Sequence, residues 1–351
     1  MSSKKLKVAV VGAGGISRAV HLPGWKNIKE AEVTAIVDIN PDAAKATASE
    51  FCIPEVYTDY REMLKSADVD VVDICIPNVQ HTPVTLAALE SGRHVICEKP
   101  LAVTTAEVRQ MGELADRKGL KLMTAQHQRY QPSSTAVKQW AATGALGEVY
   151  HARVRAMRRA WLPPSPGFID SRLSGGGPCM DIGVHALDTC LWIMGFPKPV
   201  RVTGNMKTNF AKGHVIPGKW GEWDRSLFDV EDFASGFIHF DNGATMTLEA
   251  AWLGHQEEDE EFGFQLYGKG AGVQWPSGRY STVVNGAFCQ GSLTPVKSDV
   301  IAHHEELRAF FNCVVNNEPS PVPWTETIRV IAALEAIETS AKLGREVEVS
   351  F

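Results

Sequence analysis

The feature that most constrains the fold is an alternation of short, apolar, β-branched runs with helix-patterned segments across the first third of the chain. Leu6–Val11, Ala31–Asp38, Val69–Ile76, His94–Glu98 and Lys121–Gln126 read as strands. Pro41–Phe51, Gln80–Ser91 and Thr104–Lys118 read as helices, with Gly92 and Gly119 as stops. Such an alternation calls for a doubly wound parallel sheet covered on both faces. Beyond Gly147 the pattern changes. Val149–Met157 reads as a long strand and Pro178–Gly195 as an amphipathic helix. Phe233–Phe240 and Ala244–Trp252 flank Asp241-Asn242-Gly243, a hairpin turn signal. Phe262–Tyr267 and Gly272–Trp275 add short strands, and Glu305–Asn316 and Glu326–Leu343 close the chain as helices. The second part is therefore expected to be α/β with a mostly antiparallel sheet. Lys207–Phe228 and Trp161–Gly167 read as long loops, and the acidic run Glu257–Glu261 as a solvated hairpin end.

At 351 residues two domains are expected, and the net charge of −6 with no basic cluster argues against nucleic acid as a partner. No stretch is long enough to span a membrane. Met1-Ser2-Ser3-Lys4-Lys5 imitates the basic start of a signal peptide, but the apolar run Val8–Val11 is too short and ends in glycines. The seven cysteines are odd in number and include no CxxC pair, which suits reduced thiols in the cytoplasm. No metal site is expected: His303 and His304 read as helix-start residues, and no His, Cys or acid spacing is that of a ligand set.

Gly12-Ala13-Gly14-Gly15-Ile16-Ser17 follows the first strand and precedes a helix. Glycines at Gly12, Gly14 and Gly15, with Ile16 opening the helix, allow a tight turn and close approach of a pyrophosphate to backbone N–H groups. Ser17 stands where Gly or Ala is usual. Asp38, at the end of the second strand, either accepts from ribose hydroxyls or caps the helix before Pro41. A carboxylate there repels a 2′-phosphate, so NAD is favoured over NADP. Pro77, Asn78 and His81 follow a strand at the edge where such sheets bind ligands, although Asn78 also suits a helix cap. Glu98-Lys99-Pro100 closes the next strand. Lys99 either stabilises a developing alkoxide or forms a strand-end salt bridge. His127, after the sixth strand, either touches ligand or packs beneath its loop. In the second part, Gly175-Gly176-Gly177-Pro178 breaks regular structure and starts a helix on which Asp181 and His185 lie one turn apart, a carboxylate beside an imidazole. Arg158, Arg159 and Trp161 are candidates for binding hydroxyls, a carboxylate or a sugar face.

The Gly-rich first turn, Glu98-Lys99-Pro100, and the Gly175–Gly177 run with Asp181-x-Gly183-x-His185, in that order, resemble the glucose–fructose oxidoreductase / inositol dehydrogenase / MocA family of sugar dehydrogenases. The resemblance implies a Rossmann domain (residues 1–128) bound to NAD. It implies a substrate-binding and oligomerisation domain (129–351) with an open sheet, the terminal helix 326–343 packing back on the first domain. It makes Lys99, Asp181 and His185 the catalytic group, with Gly12, Gly14, Gly15, Ile16, Asp38, Pro77, Asn78, His81, Glu98 and His127 around the cofactor. The expected activity is NAD-dependent oxidation of a secondary alcohol of a sugar, sugar derivative or cyclitol by a homodimer or homotetramer. Two other readings stay open. One is a redox-neutral lyase, hydrolase or epimerase that uses bound NAD through a keto intermediate, and the other is a non-catalytic dinucleotide-binding regulator.

Overall fold

Six parallel strands form the sheet of the first unit, in the order β3-β2-β1-β4-β5-β6. They are β1 (Leu6–Val11), β2 (Ala31–Val37), β3 (Glu55–Tyr57), β4 (Val71–Ile74), β5 (His94–Glu98) and β6 (Leu122–Ala125). The computed structural model describes residues 5–297 and 299–351, so most of the signal-like start, Met1 to Lys4, lies outside the described residues. β1 pairs with β2 on one side and β4 on the other, so the strand order reverses at β1. This is the place where an open α/β sheet has a ligand crevice at its carboxyl ends. The unit also takes in Ile301–Thr327. Helix Ala302–Val315 buries Leu307, Phe310 and Phe311 in one cluster with Leu22 and Trp25, where Gly24 lets it approach closely. That helix was expected in the second domain. Its apolar face decides otherwise.

The second unit comprises Val103–Thr105, Gln128–Val300 and Ile328–Phe351. Its nine-stranded sheet runs β14-β13-β12-β11-β7-β10-β9-β8-β15. The strands are β7 (Val149–Arg158), β8 (Pro199–Lys207), β9 (Phe233–Phe240), β10 (Thr245–Ala251), β11 (Glu260–Gly268), β12 (Ala271–Trp275), β13 (Arg279–Val284), β14 (Ala287–Ser292) and β15 (Val347–Glu348). β7 and β10 are parallel and the other described pairs antiparallel. Gly243, at φ +84°, closes the β9–β10 hairpin as its sequence predicts. Alternate residues of the central strands, Ala152, Val154, Ala156, Met246, Leu248 and Ala250, are buried in the core. Helix Trp324–Leu343 sends Val330, Ala333, Leu334 and Ile337 into this same core. Gly204 and Gly236 have no side chain where Ile337 lies, and a Cβ on Gly204 would stand 2.4 Å from the Ile337 carbonyl oxygen. These glycines seat the later turns of the terminal helix on β8 and β9, while its first residues, Trp324–Thr327, belong to the first unit, where Trp324 lies against Gly112.

Two further expectations change. Pro178–Gly195 is a π-helical turn (Cys179–Gly183) followed by an α-helix (Val184–Met194), and it is buried nearly all round instead of amphipathic. Within it Asp188 is fully buried and takes a bidentate pair from Arg129 at 2.8 Å on each arm. The guanidinium also lies over the Phe196 ring. Such a pair is weak evidence for stability but fixes geometry, because breaking it strands a buried charge. The acidic run is not a free hairpin end. Glu260 and Glu261 lie in β11, paired with Arg158 and Arg155 at 2.7 Å, and Asp259 binds Arg159 and Lys219.

Candidate functional site

In the first unit the glycine-rich turn leaves β1 between the ends of β2 and β4. The Gly12 N–H donates to Val37 O, and the Cys75 N–H donates to Val11 O, both at 2.7 Å. Gly12 has φ +108°, and a Cβ there would stand 2.1 Å from the Cys75 carbonyl oxygen. Packing therefore requires glycine. Gly14 and Gly15 differ: no protein atom lies within 4 Å of where a Cβ would stand, and neither has positive φ. Their missing side chains leave room above the turn. Asp38 stands beside it, accepting from Ala13 N and Asn40 N, both at 2.8 Å. It is not the helix cap, because Asn40 caps Pro41–Phe51 through Asp42 N and Ala43 N. Ser17 is buried with its hydroxyl on Gly14 O at 3.0 Å, which explains how a serine is tolerated there. Ile16 is 39% exposed at the mouth of the turn. A π-helical turn, Ser17–His21, follows and runs into the short helix Leu22–Lys26.

Pro77 and Asn78 enter a 3₁₀ turn (Asn78–Gln80), and Gln80, not Asn78, precedes helix His81–Glu90. His81 departs from its expected role as a cofactor contact. It is fully buried, with Nδ1 2.7 Å from Pro100 O and Nε2 2.8 Å from Ile76 O, and its one N–H in the neutral form that burial favours donates to one of these carbonyls. Glu98 is buried and takes the Lys99 N–H at 3.1 Å. The Lys99–Pro100 peptide is cis.

Behind that turn lies a polar cluster that sequence spacing does not reveal. His21, fully buried, has Nδ1 2.9 Å from Asp73 and Nε2 2.9 Å from Glu98. Trp25 Nε1 donates to Asp73 at 2.7 Å. Burial opposes charge on His21, but the neighbouring Asp73 carboxylate prevails and raises it well above the usual imidazole range. Glu98, despite burial, is drawn down to about 2, chiefly by its bond to His21. Glu306 is fully buried with no hydrogen-bond partner on either oxygen among the described residues, and burial pushes it well up. His127 stacks on His303 with ring centroids 3.8 Å apart and planes at 15°, and burial drives it down to about 3. His127, His303 and Glu306 bring ligand-type atoms within 4.8 Å of one another, as do His21, Asp73 and Cys75. His21 is committed to carboxylates, and the in-plane lone pairs of two stacked rings do not converge on one ion, so these groups do not match a metal geometry.

In the second unit the three glycines before Asp181 are fixed by packing. A Cβ on Gly175 would meet Val103 at 2.3 Å, and one on Gly177 would meet the Glu231 carbonyl oxygen at 2.1 Å. The Gly177 and Cys179 N–H groups donate to the Glu231 carboxyl at 2.9 and 3.1 Å, holding the start of the helix. Asp181 and His185 are each 9% exposed, and the Trp252 indole donates to Asp181 at 3.0 Å. The Trp161 N–H in turn donates to Trp252 O at 3.1 Å, and Trp161 packs against Trp220 with centroids 5.3 Å apart. Arg158 lies over the Trp220 ring and Lys219 over Trp161. Arg158 and Arg159 are thus tied to acids and aromatics of their own unit. Trp252, Trp220 and Glu231 were not foreseen. Trp252 lies just past β10, at the end of a run that reads simply as apolar, and Trp220 in a loop without periodicity.

Glu231 carries a pH prediction. Burial pushes its carboxyl from 4.5 up to about 7, with the bonds from Gly177 and Cys179 pulling the other way. The folded chain keeps a proton that the unfolded chain releases, so its contribution is fully present below about pH 4.5 and is lost as pH rises through about 7. The loss is about 3 kcal/mol. Urea unfolding from about pH 4 to 8 is expected to show that decline, and Glu231→Gln to flatten it.

Comparison with known proteins agrees with this architecture. Residues 6–126 match the family described as "Oxidoreductase family, NAD-binding Rossmann fold", and residues 134–274 match the GFO/IDH/MocA C-terminal domain. The chain is 33% identical over 352 residues to D-glucoside 3-dehydrogenase of Escherichia coli (strain K12), covering 99% of each. It is 26% identical over 262 residues to myo-inositol 2-dehydrogenase of Thermotoga maritima, covering 74% of this chain and 73% of that one. Among solved structures, GenD2 from gentamicin A biosynthesis in complex with NAD superposes with a TM-score of 0.82 at 25% identity, covering 100% of this chain and 98% of that one.

Proposed function

The chain belongs to the GFO/IDH/MocA oxidoreductase family, and on that premise we propose that it moves hydride between NAD and a secondary alcohol of a sugar, sugar derivative or cyclitol. The observation that carries this reading is the pairing of two nine-tenths-buried groups on one helix, Asp181 held by the Trp252 indole and His185 one turn on. A regulator that only bound dinucleotide would need neither. NAD fits the first unit: Gly14 and Gly15 leave the space that a pyrophosphate would take, and Asp38 holds a carboxylate beside the turn for ribose hydroxyls. When bound, NAD supplies the hydride acceptor.

The chain's own residues handle the proton. His185 takes the hydroxyl proton, Asp181 orients His185 or binds a neighbouring hydroxyl, and Lys99 stabilises negative charge on the reacting oxygen. Pro77, Asn78, Glu98 and His127 complete the cofactor side. Trp161, with Arg158 and Arg159 holding the adjoining loop through Trp220 and Asp259, forms a wall against which a sugar ring can stack. No described helix is long and apolar enough to cross a membrane. All seven cysteines are free, which suits the cytoplasm. On β9, Phe237 points away from the core that takes Ala234 and Ile238 and is 38% exposed, and we propose the contact of a homodimer or homotetramer on that face.

Cofactor choice gives a direct test. The value of kcat/KM with NAD is expected to exceed that with NADP by tenfold or more, equivalent to about 1.4 kcal/mol. Asp38→Ser is expected to narrow that ratio by removing the charge that repels a 2′-phosphate. Equal use of both cofactors by the native enzyme would overturn the assignment to Asp38. Mass spectrometry of the product is expected to show a sugar two hydrogens lighter.

A further inference from the structure

The cluster behind Lys99 is unusual in placing His21 between two carboxyl groups out of water. Both ring nitrogens of His21 stand 2.9 Å from carboxyl oxygens, of Asp73 and Glu98, and as an imidazolium, the form these neighbours favour, the ring donates to both. Asp73 is held in turn by the Trp25 indole at 2.7 Å and approached by the Cys75 thiol at 3.6 Å. One Glu98 oxygen takes His21 and the other takes the Lys99 N–H at 3.1 Å. Glu306 closes the far side, within 4.8 Å of both His21 and Glu98. Apolar residues of similar volume would stabilise such a core as well or better, so stability does not account for the arrangement. A line of charge-assisted bonds does fix direction. Here it runs from Asp73 within β4, through His21 on the helical turn after the glycine-rich loop, to Glu98 at the end of β5 and the backbone N–H of Lys99.

We propose that His21 is a positioning residue for Lys99, acting through Glu98: its imidazolium, clamped between Asp73 and Glu98, sets the orientation of the turn from which the Lys99 side chain departs. This rests on the reading of Lys99 as a catalytic group. Without the clamp Glu98 loses one of its two anchors, and the turn is free to shift. A displacement of about 1 Å can cost on the order of 10²-fold in rate.

The test is a double-mutant cycle with Lys99→Met, His21→Gln and the double variant of the whole protein. The variants are assayed with NAD and an equimolar mixture of methyl β-D-glucoside, D-glucose and myo-inositol. Lys99→Met alone tests the underlying reading, and an unchanged kcat there would overturn both that reading and this inference. If Lys99→Met lowers kcat, His21→Gln is expected to lower it by about tenfold to 10²-fold in the native background and to cost nothing further in the Lys99→Met background. A merely structural histidine would cost the same factor in both backgrounds, and that result would overturn the proposal while leaving the role of Lys99 standing. Should His21→Gln fail to fold, Glu98→Gln enters the same cycle and is judged by the same criterion.

Discussion

Substituting Gln for His185 is expected to lower kcat by about 10²–10⁴-fold while leaving the unfolding temperature and NAD affinity near those of the native enzyme. Removing hydride from a carbinol carbon requires the hydroxyl proton to leave, and a positioned imidazole is the group in this helix able to receive it. Gln keeps much of the side-chain volume and its hydrogen-bonding capacity but cannot take the proton. The loss should therefore fall on kcat and kcat/KM alike, the signature of an interaction made in the transition state. His185 lies in the helix from Val184 to Met194, whose residues from Val184 to Leu191 are all buried, so the backbone around the substitution is tightly held. Activity within tenfold of native would remove His185 from the catalytic group.

The second large effect separates two glycines of one turn. Gly12→Ala places a Cβ 2.1 Å from the Cys75 carbonyl oxygen on a residue at φ +108°. Strain and overlap with backbone combine, and a destabilisation of about 3 kcal/mol or more is expected. Gly14→Ala meets no protein atom within 4 Å and needs no unusual φ, so its unfolding temperature should match or slightly exceed the native one. Its methyl group would instead occupy the space a pyrophosphate needs. NAD binding should weaken by about tenfold or more. Thermal unfolding and NAD titration of both variants check this. A Gly14→Ala protein that binds NAD normally would contradict the placing of the cofactor above this turn.

What was legible in the sequence follows from periodicity and from short-range motifs. The strands of the first sheet announce themselves because both faces are buried, so Val8–Val11 is a continuous apolar run and Val71–Ile74 is one but for Asp73. β3, three residues long, does not. β8 was missed because Gly204 and Asn205 interrupt it, and the reason for Gly204 is the distant Ile337 backbone. β13 and β14 are largely exposed and carry no buried alternation. Lys99, Asp181 and His185 were singled out through local motifs, each within a few residues of glycine or proline. Glu98 was singled out with Lys99, but His21, Asp73 and Glu306 were not, because they come from three segments far from that motif, and Trp252, which reaches Asp181 from just past β10, is equally distant in sequence. The same distance effect explains His81. It lies where a ligand contact belongs in sequence order, yet its ring is buried between the carbonyls of Ile76 and Pro100.

The most direct measurement of the central claim is absorbance at 340 nm of the purified protein with NAD across a panel of glycosides, free sugars, sugar acids and inositols. Steady NADH formation with one class of secondary alcohol, lost in the His185→Gln variant, is the predicted result. Consumption of a sugar by mass spectrometry with no NADH released at any stage would contradict a net dehydrogenase and leave a redox-neutral reaction in its place.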